Sequence, residues 1–206
     1  FFYKDERDTH LSIMQQIYDR YGNNPDWSLV PLEWLMRMRQ ACIHPKLVEL
    51  GLEKKFGLSI VDDTEPEVKS TKFEILRRMI GGHADEKSLI FSYFREEMDM
   101  LSRIFERDGL NVFRIDGSMS VKVREVMVNT FRECEEPSVM LIQFSAGSVG
   151  MNLQFASRVY FTSPHWNPSV EIQAIARAHR IGQTRPVQVV KLVIVDDGFI
   201  ETKILA

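Results

Sequence analysis

From residue 71 onward the chain alternates short apolar runs with longer amphipathic ones, and this alternation limits the folds open to it. Residues 89–91, 111–115, 139–142, 159–161 and 187–195 read as strands. Residues 95–108, 120–132 and 168–181 read as helices, and 199–205 as a final one. The runs show little polar alternation, so each strand needs both faces covered. Intervening helices supply that cover, which predicts an α/β fold built on a parallel sheet with helices on both faces. Thr71 and Glu74 fit a capping box, and Gly81-Gly82 ends the helix they open. Gly117 reads as a positive-φ turn residue, with Ser120 capping the next helix. Ligands of such sheets gather beyond the carboxyl ends of the strands.

The first third has a different character. Leu11, Met14, Ile17, Tyr18 and Tyr21 recur at helical spacing until Gly22-Asn23-Asn24-Pro25 breaks the pattern. Pro31 opens a second helix, on which Leu32, Leu35, Met36 and Arg39 share a face before His44-Pro45. Cys42 and His44 read as packing residues, since no third ligand is near. Glu49, Glu53, Asp62, Asp63, Glu65 and Glu67 face only Lys54 and Lys55, which reads as an exposed acidic connector. The domain reading is therefore a helical N-terminal extension and linker over 1–68 and a lobe over 69–206. The chain opens on Phe1, which reads as a fragment. Cys42 and Cys134 lie far apart, as in a reducing compartment. No apolar run approaches the length of a membrane span, so no membrane partner is expected. The net charge of −3 gives no global attraction to nucleic acid, and any such surface must be local.

The most chemically pointed stretch is Gln173-Ala174-Ile175-Ala176-Arg177-Ala178-His179-Arg180-Ile181-Gly182-Gln183. On a helix Gln173, Arg177 and Arg180 share one face, while Ile172, Ile175 and Ala176 can pack inward. Neither arginine has an acid three or four residues away, so the pair suits an external anion; a solvated charged face is the plainer alternative. From residue 168 to 195 the extended basic set Arg177, Arg180, Arg185 and Lys191 stands near Glu171, a local basic excess.

These residues, with the run His179-Arg180-Ile181-Gly182-Gln183-Thr184-Arg185-Pro186-Val187, resemble the last motif of superfamily-two helicases in their Swi/Snf-type branch. Four further stretches are similar to that family: Arg39-Gln40-Ala41-Cys42-Ile43-His44-Pro45, the Asp116-Gly117-Ser118 loop, Ala146-Gly147-Ser148-Val149-Gly150-Met151-Asn152-Leu153, and Trp166-Asn167-Pro168. The resemblance implies a second, RecA-like lobe, in which Arg177 and Arg180 act as arginine fingers on ATP and Mg²⁺ held mainly by a first lobe. It places Gln173, Gly147 and Gly150 at the ATP cleft. It turns Ser92, Asp116, Gly117, Ser118, Asn152 and Trp166 toward double-stranded DNA or chromatin, in the nucleus. Two stretches depart from the family pattern: Ser148 stands for a usual glycine, and Gln143-Phe144-Ser145 replaces a stretch that often carries Ser and a basic residue. The sequence holds no Gly-x-x-x-x-Gly-Lys-Ser/Thr and no Asp-Glu-x-His, so the phosphate cradle and the metal-binding carboxylates are expected on the first lobe, and this fragment alone should not turn over ATP. Two readings of other kinds stay open: a degenerate lobe that serves as a nucleic-acid or protein-binding scaffold, and an unrelated α/β transferase that holds a phosphorylated ligand.

Overall fold

The computed structural model describes residues 8, 10–13, 15, 16, 19, 31–56, 69–146, 150–195 and 200–205. The chain divides into two compact units, one of Ile75–Leu192 and one of Phe1–Glu74 with Val193–Ala206. Residues 69–74 and 193–206, read from the sequence as part of the lobe, fall in the second of these units. The helices are α1 (Leu32–Ile43), α2 (Pro45–Phe56), α3 (Thr71–Gly81), α4 (Arg95–Arg107), α5 (Val121–Glu133), α6 (Pro168–Ala178) and α7 (Ile200–Leu205).

Ile75–Leu192 holds the expected α/β fold. Strands β1 (Ser88–Ser92), β2 (Asn111–Ile115), β3 (Ser138–Gln143), β4 (Arg158–Phe161) and β5 (Gln188–Lys191) pair in the order β2-β3-β1-β4-β5. Every pairing is parallel, with Ser88 beside both Val139 and Arg158. Strands β1 and β4 are buried along their whole length, as is β3 up to Gln143. Their side chains join Phe131, Ala174 and Ala178 from the helices in one core. The expected strand over 187–195 is shorter, since β5 stops at Lys191 and is largely exposed at the sheet edge.

Local chemistry ends each helix. The buried Glu97 carboxylate accepts from the amides of Tyr93 (3.1 Å) and Phe94 (3.3 Å), satisfying donors at the start of α4. Gly109 ends that helix at φ 80°, where a side chain would be strained. Ser120 caps α5 by accepting from Val123 N, as expected. At the far end of α5, Lys87 Nζ donates to the carbonyls of Phe131, Arg132 and Cys134, which a helix C-terminus leaves open. Burial draws the Lys87 pKa down. At the amino edge of the sheet, Arg158 binds Glu86 at 2.8 Å and Gln188 at 2.9 Å, which joins β4, β5 and the approach to β1.

The second unit has its own core of Ile13, Met38, Ala41, Cys42, Val48, Ile194 and Ile200. The few described residues between 8 and 19 are helical; Met14, Ile17, Tyr18 and Tyr21 of the expected first helix lie outside the described residues. The α1 helix forms as read, with His44 at its C-cap. The acidic connector does not begin at Glu49, because α2 carries Glu49 and Glu53; residues 57–68 lie outside the described residues. The cap of α3 is Ser70 rather than Thr71: its hydroxyl accepts from Phe73 N at 3.3 Å and donates to Ile43 O at 2.7 Å. Cys42 is buried, and burial followed by the Glu201 charge pushes its thiol pKa up. His44 Nδ1 accepts from Lys46 N.

Glu201 does more than pack. Lys72 Nζ donates to its two oxygens at 2.6 and 2.7 Å, and Ile194 N donates to Oε2 at 2.9 Å. The side chains are 5% and 0% exposed. Removing one partner strands a buried charge, so Lys72→Ala should destabilise this unit by about 3–5 kcal/mol in urea unfolding followed by Trp34 fluorescence. The pair Lys72→Met with Glu201→Leu should remove the cost of the stranded charge, leaving about 1–3 kcal/mol for Ile194 N, which loses its acceptor.

Candidate functional site at the carboxyl edge of the sheet

All five strands run the same way, so the loops after β1 to β4 emerge at one edge. The chain order reverses across β1, with β3 on one side and β4 on the other. Such a switch point opens a crevice between diverging loops. A pocket of about 400 Å³ lies there, lined by Phe91, Tyr93, Gln143, Phe144, Ser145, His165, Val170, Gln173 and Ala174. Its aromatic wall is continuous: Tyr93 stacks on His165 with centroids 5.2 Å apart, and Phe144 meets His165 edge-on at 5.0 Å.

The loop after β2 is bound to its surroundings at nearly every polar atom. Asp116 is buried, and its Oδ1 accepts from Ser118 N (2.9 Å) and Ser118 Oγ (2.5 Å). Its Oδ2 lies 3.3 Å from Arg114 Nε and 3.5 Å from Arg95 Nη2. Gly117 N donates to Gln143 Oε1, and the buried Arg124 donates to Asp116 O and Ala146 O. Gly117 and Ser118 are exposed, but the Asp116 carboxylate is turned into the fold. Gly117 does not take a positive φ; among the described residues only Gly109 and Gly182 do. Ser92, at the end of β1, is fully buried.

Phe144–Ala146 form a short 3₁₀ turn after β3. Gly147 and Ser148 lie outside the described residues. Gly150 is exposed, and a Cβ built on it would meet nothing within 4 Å, so packing within this chain does not demand a glycine. Asn152 Oδ1 accepts from Gln154 N in a local turn. After β4, Asn167 caps α6 by accepting from Ser169 N at 2.9 Å. The buried Glu171 accepts from His165 N at 2.7 Å and pairs with Lys191, which fixes the turn carrying the 42% exposed Trp166.

The α6 helix corrects the sequence reading in two ways. It ends at Ala178, so Arg180 stands on the following turn rather than on the helical face of Gln173 and Arg177. Other parts of the chain take up the last carbonyls: Leu153 N donates to Arg177 O, and Gln183 Nε2 donates to Ala156 O and Ala178 O. Gly182 completes the turn at φ 101°. The buried stripe is Glu171, Ala174 and Ala178, while Ile172 is 65% exposed and Ala176 also faces out. Among the described residues, neither Arg177 nor Arg180 is ion-paired with a carboxylate. Arg180 and Gln173 are exposed; Arg177 is half-buried, and its Nε is fully covered without a hydrogen-bond acceptor.

The C-terminal end of α6, with two arginines that no carboxylate pairs among the described residues, suits an anion from outside the chain. The model of the helicase conserved C-terminal domain matches residues 71–182, over half of the sequence. The chain belongs to that family. The lymphoid-specific helicase of Homo sapiens is 37% identical to it over 164 residues, 77% of this chain and 19% of that protein. DNA repair protein RAD5B of Arabidopsis thaliana is 34% identical over 152 residues, 73% of this chain and 12% of that protein. The chain thus spans less than a fifth of the length of each of these two relatives. The crystal structure of the C-terminal part of the Fun30 ATPase domain shares the fold, with a TM-score of 0.80 and 22% identity over 99% of this chain and 85% of that one. The Swi/Snf-type, RecA-like second lobe implied by the motifs is what this helicase C-terminal domain is.

Residues that sequence reasoning passed over hold the loops in place: Arg95, Arg114, Arg124 and Gln143. For Asp116, burial pushes the carboxyl pKa up, but the Ser118 hydrogen bonds and the two arginine charges outweigh it, and the net shift is downward. A lowered folded pKa means the loop bonds are fully present above the ordinary aspartate value of about 3.9 and are lost as pH falls through the lower folded value. Carboxyl NMR should show Asp116 titrating below about 3.9, with Ser118 amide exchange rising only in that acid range.

Proposed function

We propose that residues 69–206 are the second lobe of an ATP-driven double-stranded DNA translocase of the chromatin-remodelling, transcription or DNA-repair type, acting in the nucleus. The observation that carries this reading is the pair Arg177 and Arg180, which stand at the C-terminal end of α6 without a carboxylate partner among the described residues. Family membership makes ATP the phosphorylated ligand, and the residues present fit its anionic end. ATP with Mg²⁺ supplies the phosphoryl group whose hydrolysis drives the motor.

The roles of this chain follow from placement. Arg177, set by α6, and Arg180, on the turn after it, place positive charge where negative charge grows on phosphoryl oxygens. Gln173 lies one turn before Arg177 and presents an amide to the same cleft. Gly147 and Gly150 are the residue type that lets a backbone approach a phosphate closely. Gly117, Ser118, Asn152 and Trp166 form the edge that meets the DNA backbone, and Asp116 keeps the Gly117-Ser118 turn in shape. Contacts of this kind position a duplex without reading its sequence. The other lobe of the same protein is the required partner.

The test uses the protein with both lobes. Arg180→Ala and Arg177→Ala should each lower DNA-stimulated ATP turnover by roughly 10³-fold or more, with DNA affinity changed less than about twofold. Unchanged turnover would remove the arginines from the reaction and leave a binding scaffold as the better reading.

A further inference from the structure

Gln143 ends β3, the strand between β2 and β1. In a parallel sheet the loops of both neighbours leave at the same edge, so a side chain at this position lies within reach of each. Gln143 uses both ends of its amide. Its Oε1 accepts from Gly117 N at 3.1 Å in the loop after β2, and its Nε2 donates to Tyr93 O at 3.4 Å in the loop after β1. A primary amide is suited to this, because it accepts and donates from one planar group. A serine at the same place could not span the two loops, and a carboxylate could not donate to Tyr93 O.

The approach at Gly117 is close: a Cβ there would sit 3.4 Å from Ser145 Oγ and 3.6 Å from Gln143 Oε1. Arg124 ties the same loop to the turn after β3 by donating to Asp116 O and Ala146 O. Gln143 also reaches the Tyr93 carbonyl of the β1 loop, near Arg95, whose guanidinium lies 3.5 Å from Asp116 Oδ2.

We propose that Gln143 is a positioning residue for the nucleic-acid edge: it holds the Asp116–Ser118 loop at a set spacing from the Tyr93 loop and from the 3₁₀ turn that leads into the glycine stretch. Both ends of its amide are taken up by the chain, so it acts through the Gly117 amide. This rests on the reading of the edge as the DNA-facing surface of a translocase lobe.

Two measurements separate the parts of the proposal. In this chain, Gln143→Ala should speed amide exchange at Gly117 by roughly tenfold while amides of β1 and β4 keep their protection, since one hydrogen bond is lost and the core is untouched. In the two-lobe protein, the DNA concentration giving half-maximal ATPase stimulation should rise by roughly tenfold for Gln143→Ala and for Gln143→Glu. The DNA-free turnover and the KM for ATP should stay within about twofold, a split that general destabilisation would not produce. Unchanged Gly117 exchange overturns the proposal, as does faster exchange with unchanged DNA half-saturation; in either case wild-type turnover that still depends on Arg180 leaves the translocase reading standing. Absence of DNA-stimulated turnover in the wild type overturns both.

Discussion

A parallel strand cannot leave one face to water without exposing the apolar surface that made it a strand, and in this chain three strands meet that demand in full. β1, β3 and β4 are buried along almost all their residues, and helices supply the cover. Polar chemistry is thereby forced to the ends of the sheet. The amino edge spends it on structure, with Arg158 holding Glu86 and Gln188. The carboxyl edge carries the loops that differ from those of an inert scaffold.

The loops at that edge are organised by contacts within the chain: Asp116 is held by Ser118, Arg95 and Arg114, and its turn by Gln143 and Arg124. The crossover helix α6 runs from the end of β4 back toward the start of β5, and at its far end Arg177 and Arg180 have no carboxylate partner among the described residues. Bound loops keep a surface in shape between encounters. An unpaired guanidinium marks where a ligand's charge is worth most. The lobe thereby separates geometry from chemistry and assigns them to different residues.

How much of this was legible depends on how local each cause is. The strands were, because a continuous apolar run is its own evidence; so was Ser120, whose partner is three residues away. The end of α6 was not, because His179 and Arg180 are compatible with a helix and the carbonyls that stop it are taken by Leu153 and Gln183 from outside. Gly182 was the available signal, since glycine just past a helix commonly takes positive φ. Ile172 looked inward by residue type, yet the register set by Glu171, Ala174 and Ala178 turns it out. Gln143 stood only as a departure from a pattern. Its use follows from strand order, which brings residues 93 and 117 to either side of it, and no spacing in the sequence carries that. The burial of Ser92 has a related cause: the last residue of a central strand is still interior.

The Lys72–Glu201 pair spans 129 residues of chain. During synthesis, Lys72 leaves the ribosome long before its counter-ion exists. Ile75–Leu192 has all its strands by then and can condense as a domain, whereas the unit around Cys42 must wait for residues beyond Val193. An ammonium group kept in water until that moment has no desolvation to suffer early. The helical unit is therefore the last to close, since Glu201 must clear the ribosome before that ammonium can shed its water.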